Sequence, residues 1–328
     1  MVWLTEYLKT LKSTLIIVSH DRSLLDEVCD TIVWLNNGSK KLLYFNGNYT
    51  TFEKHKKQLQ TKKEEEWQKL MKRCKSLRTK KEREELVLKS GLIEPSKPYK
   101  PVISFKTPTS FTMENPLVVN DVSFSYGDEN VINNVSLSIN MRTRITIVGN
   151  NGSGKSTFMK IIAGQLKPTS GEVLVDQRLK IAYFHQQSAE YLDGGMSPVE
   201  CLINTNKHTS IEEARKVLGC IGLAGEFHNK LIETLSGGQK SRVSLACVIV
   251  SAPHIILLDE PTNHFDIETV QGLIKGINEF EGGVVMITHD ENLIVETNCD
   301  LWVCKDKTVY RYNAEYEDYK EEIINELL

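Results

Sequence analysis

Ile145-Thr146-Ile147-Val148-Gly149-Asn150-Asn151-Gly152-Ser153-Gly154-Lys155-Ser156-Thr157 decides how the rest of the sequence reads. An apolar strand runs into a glycine-rich loop, and Phe158-Met159-Lys160-Ile161-Ile162 follows with a helical pattern. Strand, loop and helix are the context in which Gly-x4-Gly-Lys-Ser holds a polyphosphate. The glycines let backbone N–H groups curl around an anion at a helix N-terminus, where the helix dipole also favours negative charge. In that motif Lys155 reaches the β- and γ-phosphates and Ser156 ligates Mg2+. ATP with Mg2+ is the expected ligand.

Downstream, Ile255-Ile256-Leu257-Leu258-Asp259-Glu260-Pro261 is an apolar strand ending in two carboxylates. Asp259 suits the Mg2+ shell, and Glu260 can polarise a water for in-line attack on a γ-phosphate. Leu235-Ser236-Gly237-Gly238-Gln239 precedes a helix expected over 240–250, and His289 ends the next strand. Phosphate loop, Leu-Ser-Gly-Gly-Gln, Asp-Glu-Pro and a strand-end histidine therefore occur in that order. This order resembles the ABC ATPase nucleotide-binding domain. The resemblance implies an α/β P-loop NTPase fold with an added antiparallel sheet and a helical subdomain. It also implies that Tyr126 stacks on adenine and that the loop Gly149, Asn150, Asn151, Gly152, Ser153, Gly154, Lys155, Ser156 and Thr157 holds the phosphates. On the same basis Gln186, with Gln187 as an adjacent alternative, approaches Mg2+ and the attacking water, while Glu260 and His289 complete the catalytic set. Ser236, Gly237, Gly238 and Gln239 would close over ATP held by a second domain. Thr262-Asn263-His264-Phe265-Asp266 matches the loop after the catalytic glutamate, with Phe265 where the family usually has leucine.

Composition removes several other classes. The 328 residues are 40% hydrophobic and 25% charged, a soluble globular profile rather than a disordered one. Forty Lys+Arg stand against 43 Asp+Glu, which excludes a globally basic nucleic-acid binder but not a local basic element. No apolar run approaches the roughly 20 residues needed to cross a bilayer, and residues 1–10 lack the apolar core of a secretory signal. Cysteines 29, 74, 201, 220, 247, 299 and 304 are scattered singly, without a Cys-x-x-Cys pair. Scattered cysteines point to a reducing, cytoplasmic setting and away from a disulfide frame or zinc site.

The chain also repeats itself. Thr14-Leu15-Ile16-Ile17-Val18-Ser19-His20-Asp21 recurs as Gly283-Val284-Val285-Met286-Ile287-Thr288-His289-Asp290. Each copy leads to a Cys-Asp pair, at Cys29-Asp30 and Cys299-Asp300, and then to an apolar strand. Each is expected to fold as a buried strand, a histidine loop, a short helix and a hairpin-like end. Between the copies, residues 54–89 hold fourteen Lys+Arg against six Asp+Glu and no Gly or Pro, a local excess of eight positive charges. Trp67, Leu70, Cys74 and Leu77 mark one narrow apolar stripe on this charged helix. Pro95, Pro98, Pro101 and Pro108 then make an extended connector. The expected organisation is a remnant of a first ABC domain over 1–53, a charged helical linker and connector over 54–115, and a complete ABC domain over 116–328.

Tyr44-Phe45-Asn46-Gly47-Asn48-Tyr49, the Asp259–His264 segment and the charged linker narrow the resemblance to the ABC-F family of soluble tandem ATPases that act on ribosomes. Cys299-Asp300-Leu301-Trp302-Val303 and the Gln186-Gln187 pair look most like its eukaryotic initiation-associated members. That resemblance implies cytoplasmic ATP hydrolysis, with ribosome or RNA contact through the basic linker. Because 134 residues separate Lys155 from His289 but only 19 precede His20, His20 is expected to be vestigial or part of a fragment. The site is expected to need a second ABC domain in trans, from another copy or a partner chain. Two alternatives remain open on the sequence: a nucleotide-binding subunit of a membrane transporter, and a degenerate ATP-binding module without turnover.

Overall fold

Every position of Ile255–Asp259 and Gly283–Ile287 is buried, so neither segment has a solvent face. Strands of this kind belong inside a parallel sheet covered on both sides. A computed structural model describes residues 2–19, 21–36, 41–77, 79–92, 101–106, 109, 111, 113–185, 187–263 and 265–327. It divides the chain into two units, Trp3–Tyr99 and Lys100–Leu328.

The first unit contains α1 (Val2–Thr10), α2 (Arg22–Val28), β1 (Thr31–Asn36), β2 (Lys41–Asn46), α3 (Tyr49–Ser76) and α4 (Lys80–Ser90). β1 and β2 pair antiparallel from Thr31↔Asn46 to Asn36↔Lys41. Asn48 caps α3 by accepting from the Thr51 amide, and Phe52 in its first turn is buried against the rings of Trp34, Phe45 and Tyr49. α3 and α4 form a helical hairpin. The apolar stripe is its seam, with Leu70 and Cys74 buried and Trp67 and Leu77 half-buried. At the bend, the Arg83 guanidinium donates to the Leu77 carbonyl at 3.1 and 2.8 Å. Thr79 and Glu82 form a reciprocal capping box that starts α4.

One expectation fails here. Residues 14–18 form no strand, and Ile16 and Val18 are 94% and 97% exposed. The matching octet in the second unit is a strand because it has a parallel neighbour on each side, and among the described residues of the first unit only the antiparallel β1–β2 pair forms strands. What survives in the first copy is local. Asp21 accepts from the Leu24 amide and caps α2, as Asp290 does for α10 (Glu291–Glu296). Ser19 Oγ accepts from the Asp21 amide at 3.0 Å, as Thr288 Oγ1 does from Asp290. His20 lies outside the described residues.

In the second unit, β3 (Leu117–Tyr126), β4 (Glu129–Ile139) and β6 (Ser170–Val175) form an antiparallel sheet in the order β4-β3-β6. β5 (Arg144–Val148), β7 (Ile181–Phe184), β8 (Ile255–Asp259), β9 (Gly283–Ile287), β10 (Asp300–Lys305) and β11 (Thr308–Arg311) form the main sheet, in the order β11-β10-β5-β9-β8-β7. All its pairings are parallel except that of the edge strand β11. Side chains alternate between two cores, as the period of two requires. Ile256, Leu258, Val284 and Met286 face one core, with α6 (Pro198–Thr205), α7 (Ile211–Cys220), α8 (Gly237–Ser251) and α9 (Ile267–Glu279). Ile145, Ile147, Ile255, Leu257, Val285 and Ile287 face the other, with α5 (Lys155–Ile162) and the antiparallel sheet. α11 (Tyr316–Leu327) places Tyr319 against Leu301 and Val303 of β10.

The second unit reaches upstream of Pro116. Residues 101–106 lie on α9, where Gly272 and Gly276 let backbone come close: a Cβ at Gly276 would sit 2.7 Å from the Ile103 carbonyl oxygen. Ile103 and Phe105 are buried in the helix-side core, whereas Val102 is 58% exposed. Ile103→Ala should therefore cost about 2–4 kcal/mol in the second unit, while Val102→Ala stays within roughly 0.5 kcal/mol. Hydrogen exchange of β8 and β9 in a urea series checks both values.

Candidate nucleotide site

The phosphate-loop sequence folds as its glycines require. Gly149 sits at φ +149° with Cys304 of β10 directly beneath it, and a side chain at Gly149 would overlap the Cys304 carbonyl oxygen. Cys304 Sγ in turn donates to the Ser153 carbonyl at 3.1 Å. Gly154, at φ +104°, starts α5 without a side-chain cap, whereas α6, α8 and α9 start with the side chains of Ser197, Ser236 and Asp266. The amides at the start of α5 thus have no capping side chain, and the helix dipole adds its positive end there. Lys155, buried at the same place, donates from Nζ to the carbonyls of Gly149 and Asn150, both at 2.8 Å. Burial lowers its pKa, against the opposing pull of Cys304, Glu260 and Asp259.

The carboxylates arrive on the neighbouring strands. β5 pairs with β9 and β9 with β8, aligning Ile147 with Ile287 and Ile287 with Asp259. Lys155, Asp259, Glu260 and His289 are therefore gathered at the carboxyl edge of the sheet, where ligands of open α/β sheets bind. Asp259 is buried, and Oδ2 accepts from the Tyr183 hydroxyl at 3.2 Å. Burial, with Asp259 beside it, pushes the Tyr183 hydroxyl pKa well up, so it remains a donor. Glu260 lies at φ +52°, a left-handed conformation that costs about 1–2 kcal/mol outside glycine. Its amide donates to the Ile287 carbonyl at 2.9 Å, which holds that turn. His289 Nε2 is 3.4 Å from Glu260 Oε1. Burial first, then the Asp259 charge, raises the Glu260 pKa to about 7. Burial and Lys155 lower that of His289 to about 4. At neutral pH the histidine is neutral and Glu260 is poised to exchange a proton.

Mg2+-ATP fits this group of residues. Ser153 Oγ is a buried hydroxyl inside the loop with no hydrogen-bond partner, and the uncapped start of α5 and the Lys155 ammonium call for an anion. Ser156 is exposed at the first turn of α5, and Asp259 offers a carboxylate. Mg2+ is commonly held by one or two protein oxygens, the rest coming from phosphate and water. Tyr126, half exposed, stands edge-on to Phe124 at 4.8 Å between ring centres. Gln186 lies outside the described residues.

Ser236 and Gly237 are exposed at the start of α8, and Gly237 has open space where a Cβ would be. Ser236 and Gln239 are bonded to each other in a capping box. Two partners of this region were not singled out from the sequence. Arg242, one turn into α8, bonds Asp266 at 2.7 Å and the Ile221 carbonyl at 3.1 Å, and lies 5.9 Å from the Phe265 ring. It ties the loop after Glu260 to the signature helix. Tyr183 is the other. Tyr183 is a hydroxyl within an apolar stretch, Ile181 to Phe184, whereas Arg242 sits among polar residues of α8 and carries no such mark.

Residues 132–263 match the family model described as ABC transporter. All of the chain aligns with mouse "ATP-binding cassette sub-family F member 2" at 36% identity, covering 55% of that protein. It aligns over 98% of its length with "Probable ATP-binding protein YheS" of Escherichia coli (strain K12) at 33% identity, covering 52%. Over its whole length the chain is similar to ABC-F proteins. It spans about half the length of the curated relatives it matches. Among solved structures, it resembles the "Dimeric structure of a post-hydrolysis state of the ATP-binding cassette MJ0796 bound to ADP and Pi", with TM-score 0.52 and 29% identity over 61% of this chain and 100% of that one. Among the described residues, no helix is long and apolar enough to cross a membrane.

Protonated Glu260 is favoured in the folded site, so the stability it contributes is complete below the unfolded pKa near 4.5 and is lost as pH rises through 7. Glu260→Gln should therefore stabilise the second unit by roughly 3 kcal/mol at pH 8 and by almost nothing at pH 4. Urea denaturation at the two pH values checks the sign; equal effects at both would remove the buried carboxylate as the cause.

Proposed function

We propose that this chain binds Mg2+-ATP through Tyr126, the loop 149–157, Ser156 and Asp259, and hydrolyses it with Glu260 as general base. The observation that carries this reading is the grouping of buried Lys155, buried Asp259 and the Glu260–His289 contact of 3.4 Å at one sheet edge. Bound Mg2+ would neutralise charge on the β- and γ-phosphates. Glu260, with a pKa near 7, accepts a proton from the attacking water. His289, neutral, has one ring N–H to donate, here toward the γ-phosphate, and its Nε2 lies 3.4 Å from the Glu260 carboxyl. Gln186 is assigned beside the metal on sequence alone. Lys155→Ala should weaken binding of a fluorescent ATP analogue about 10- to 100-fold, the value of a lost charged hydrogen bond. Unchanged affinity would remove Lys155 from this role.

Ser236 and Gly237, exposed at the head of the Ser236-Gly237-Gly238-Gln239 turn, support closure over nucleotide held by a second ABC domain, from another copy of this chain or from a partner. Turnover should then rise more than linearly with protein concentration, and Glu260→Gln should trap ATP in a dimer visible by light scattering. A specific activity independent of concentration overturns the trans arrangement.

The α3–α4 hairpin supports a cytoplasmic role on the ribosome. Lys72, Arg73, Lys75 and Lys81 are exposed on either side of its bend, where they can neutralise RNA phosphates without reading sequence. Changing Lys72, Arg73 and Arg78 to Glu should weaken ribosome co-sedimentation and flatten its salt dependence, by a log–log slope of about 0.7–0.9 per lost phosphate contact, with ATP binding unchanged. Co-sedimentation that survives the triple change would reduce the hairpin to a spacer.

A further inference from the structure

Two of the scattered cysteines are brought together by the fold. Cys201 on α6 and Cys247 on α8, 46 residues apart, place their sulfurs 3.5 Å from each other. Both are half-buried in the seam where the two helices pack. The backbones on either side are held: the Ser197–Glu200 capping box starts α6, and Asn206 Nδ2 just past its end donates to the Val250 carbonyl at 2.8 Å. Other thiols of the chain are aimed at backbone instead, Cys304 at the Ser153 carbonyl, Cys299 at Thr297 and Cys74 at Arg83. To bond, the Cys201 and Cys247 sulfurs must close by about 1.5 Å, to the S–S length near 2.0 Å.

We propose that Cys201 and Cys247 are an oxidation site: hydrogen peroxide converts them to a disulfide that staples α6 to α8, the helix whose first turn carries Ser236 to Gln239. The shared hydrogen bond leaves the proton with Cys247, whose pKa is raised, and lowers that of Cys201. Cys201, less deeply covered, is thus the attacking thiolate. Its sulfur attacks one peroxide oxygen, the O–O bond breaks, and a sulfenic acid forms with release of hydroxide. Cys247 then attacks the Cys201 sulfur, so the S–S bond forms and the S–O bond breaks. The departing hydroxyl takes the Cys247 proton as water. Two electrons pass from the sulfurs to the peroxide, and two thiols plus one peroxide become one disulfide and two waters. Thiol exchange reverses the bond, as befits a transient link in a reducing setting. Cys247 lies ten residues beyond Gly237, roughly 15 Å along α8, so the staple fixes the far half of the helix and leaves the signature turn open.

The test uses the full chain with hydrogen peroxide alone. After oxidation, alkylation of remaining thiols and proteolysis, mass spectrometry should recover one peptide pair joined through Cys201 and Cys247, lost on treatment with dithiothreitol. Cys201→Ser and Cys247→Ser should each abolish it. Oxidation should also raise the thermal midpoint of the wild-type chain and of neither variant. If peroxide leaves both thiols open to alkylation, or carries Cys201 to sulfinic acid without the link, the assignment is overturned. The wild-type result decides the matter even where a variant folds poorly.

Discussion

Parallel pairing of β5 with β9, and of β9 with β8, is the contact on which the site depends. β5 lies more than a hundred residues before β8 and β9 in sequence, and the shared direction of the three strands brings their ends to one edge. The register then sets which side chains meet. Ile147 aligns with Ile287, and Ile287 with Asp259, so the phosphate loop, the carboxylates and the histidine loop begin side by side. The Arg144 guanidinium reinforces this from the opposite end of β5 by donating to the carbonyls of Phe280 and Gly282, just before β9. Burial on both faces makes a slip of one residue costly, since it would exchange the two sets of core side chains.

The same burial creates the electrostatics. A carboxylate and an imidazole held out of water both shift toward their neutral forms. Asp259 adds to the effect on Glu260, and Lys155 adds to the effect on His289. Tyr183 and the start of α5 work the other way, offering donors to negative charge. The left-handed backbone of Glu260 is a further cost, held in place by its amide bond to Ile287. A site with an uncapped helix, an unpartnered hydroxyl and a strained glutamate is built for an anionic ligand rather than for its own stability.

The internal repeat separates local from tertiary causes within one chain. Both octets keep the hydroxyl-to-aspartate turn and the aspartate cap of the next helix, because those bonds join residues two or three apart. Both are followed by a strand and a hairpin. Only 283–287 becomes a strand itself, because only there do β5 and β8 offer ladders on both sides. Fourteen to eighteen, equally apolar, stays irregular and exposed. The apolar stripe of the charged linker shows the complementary case. Trp67, Leu70, Cys74 and Leu77 announce a helix with one buried face, but the partner that buries it, α4, follows from the Thr79–Glu82 cap and the Arg83 bonds at the bend.

By itself the sequence determined the motifs whose chemistry is local: the loop 149–157 on a strand and before a helix, Asp259 and Glu260 at a strand end, Leu235 to Gln239 just before a helix, and the narrow stripe of the linker. These were legible because glycine, capping residues and apolar periodicity act over a few positions. The tertiary structure alone decided which segment pairs with which, and therefore that residues 101–106 join the second unit, that Arg242 ties Asp266 to α8, that Tyr183 meets Asp259, and that Cys201 meets Cys247. Such contacts join residues from about two dozen to more than a hundred positions apart, so they follow from packing geometry and strand order, which no single stretch of sequence encodes.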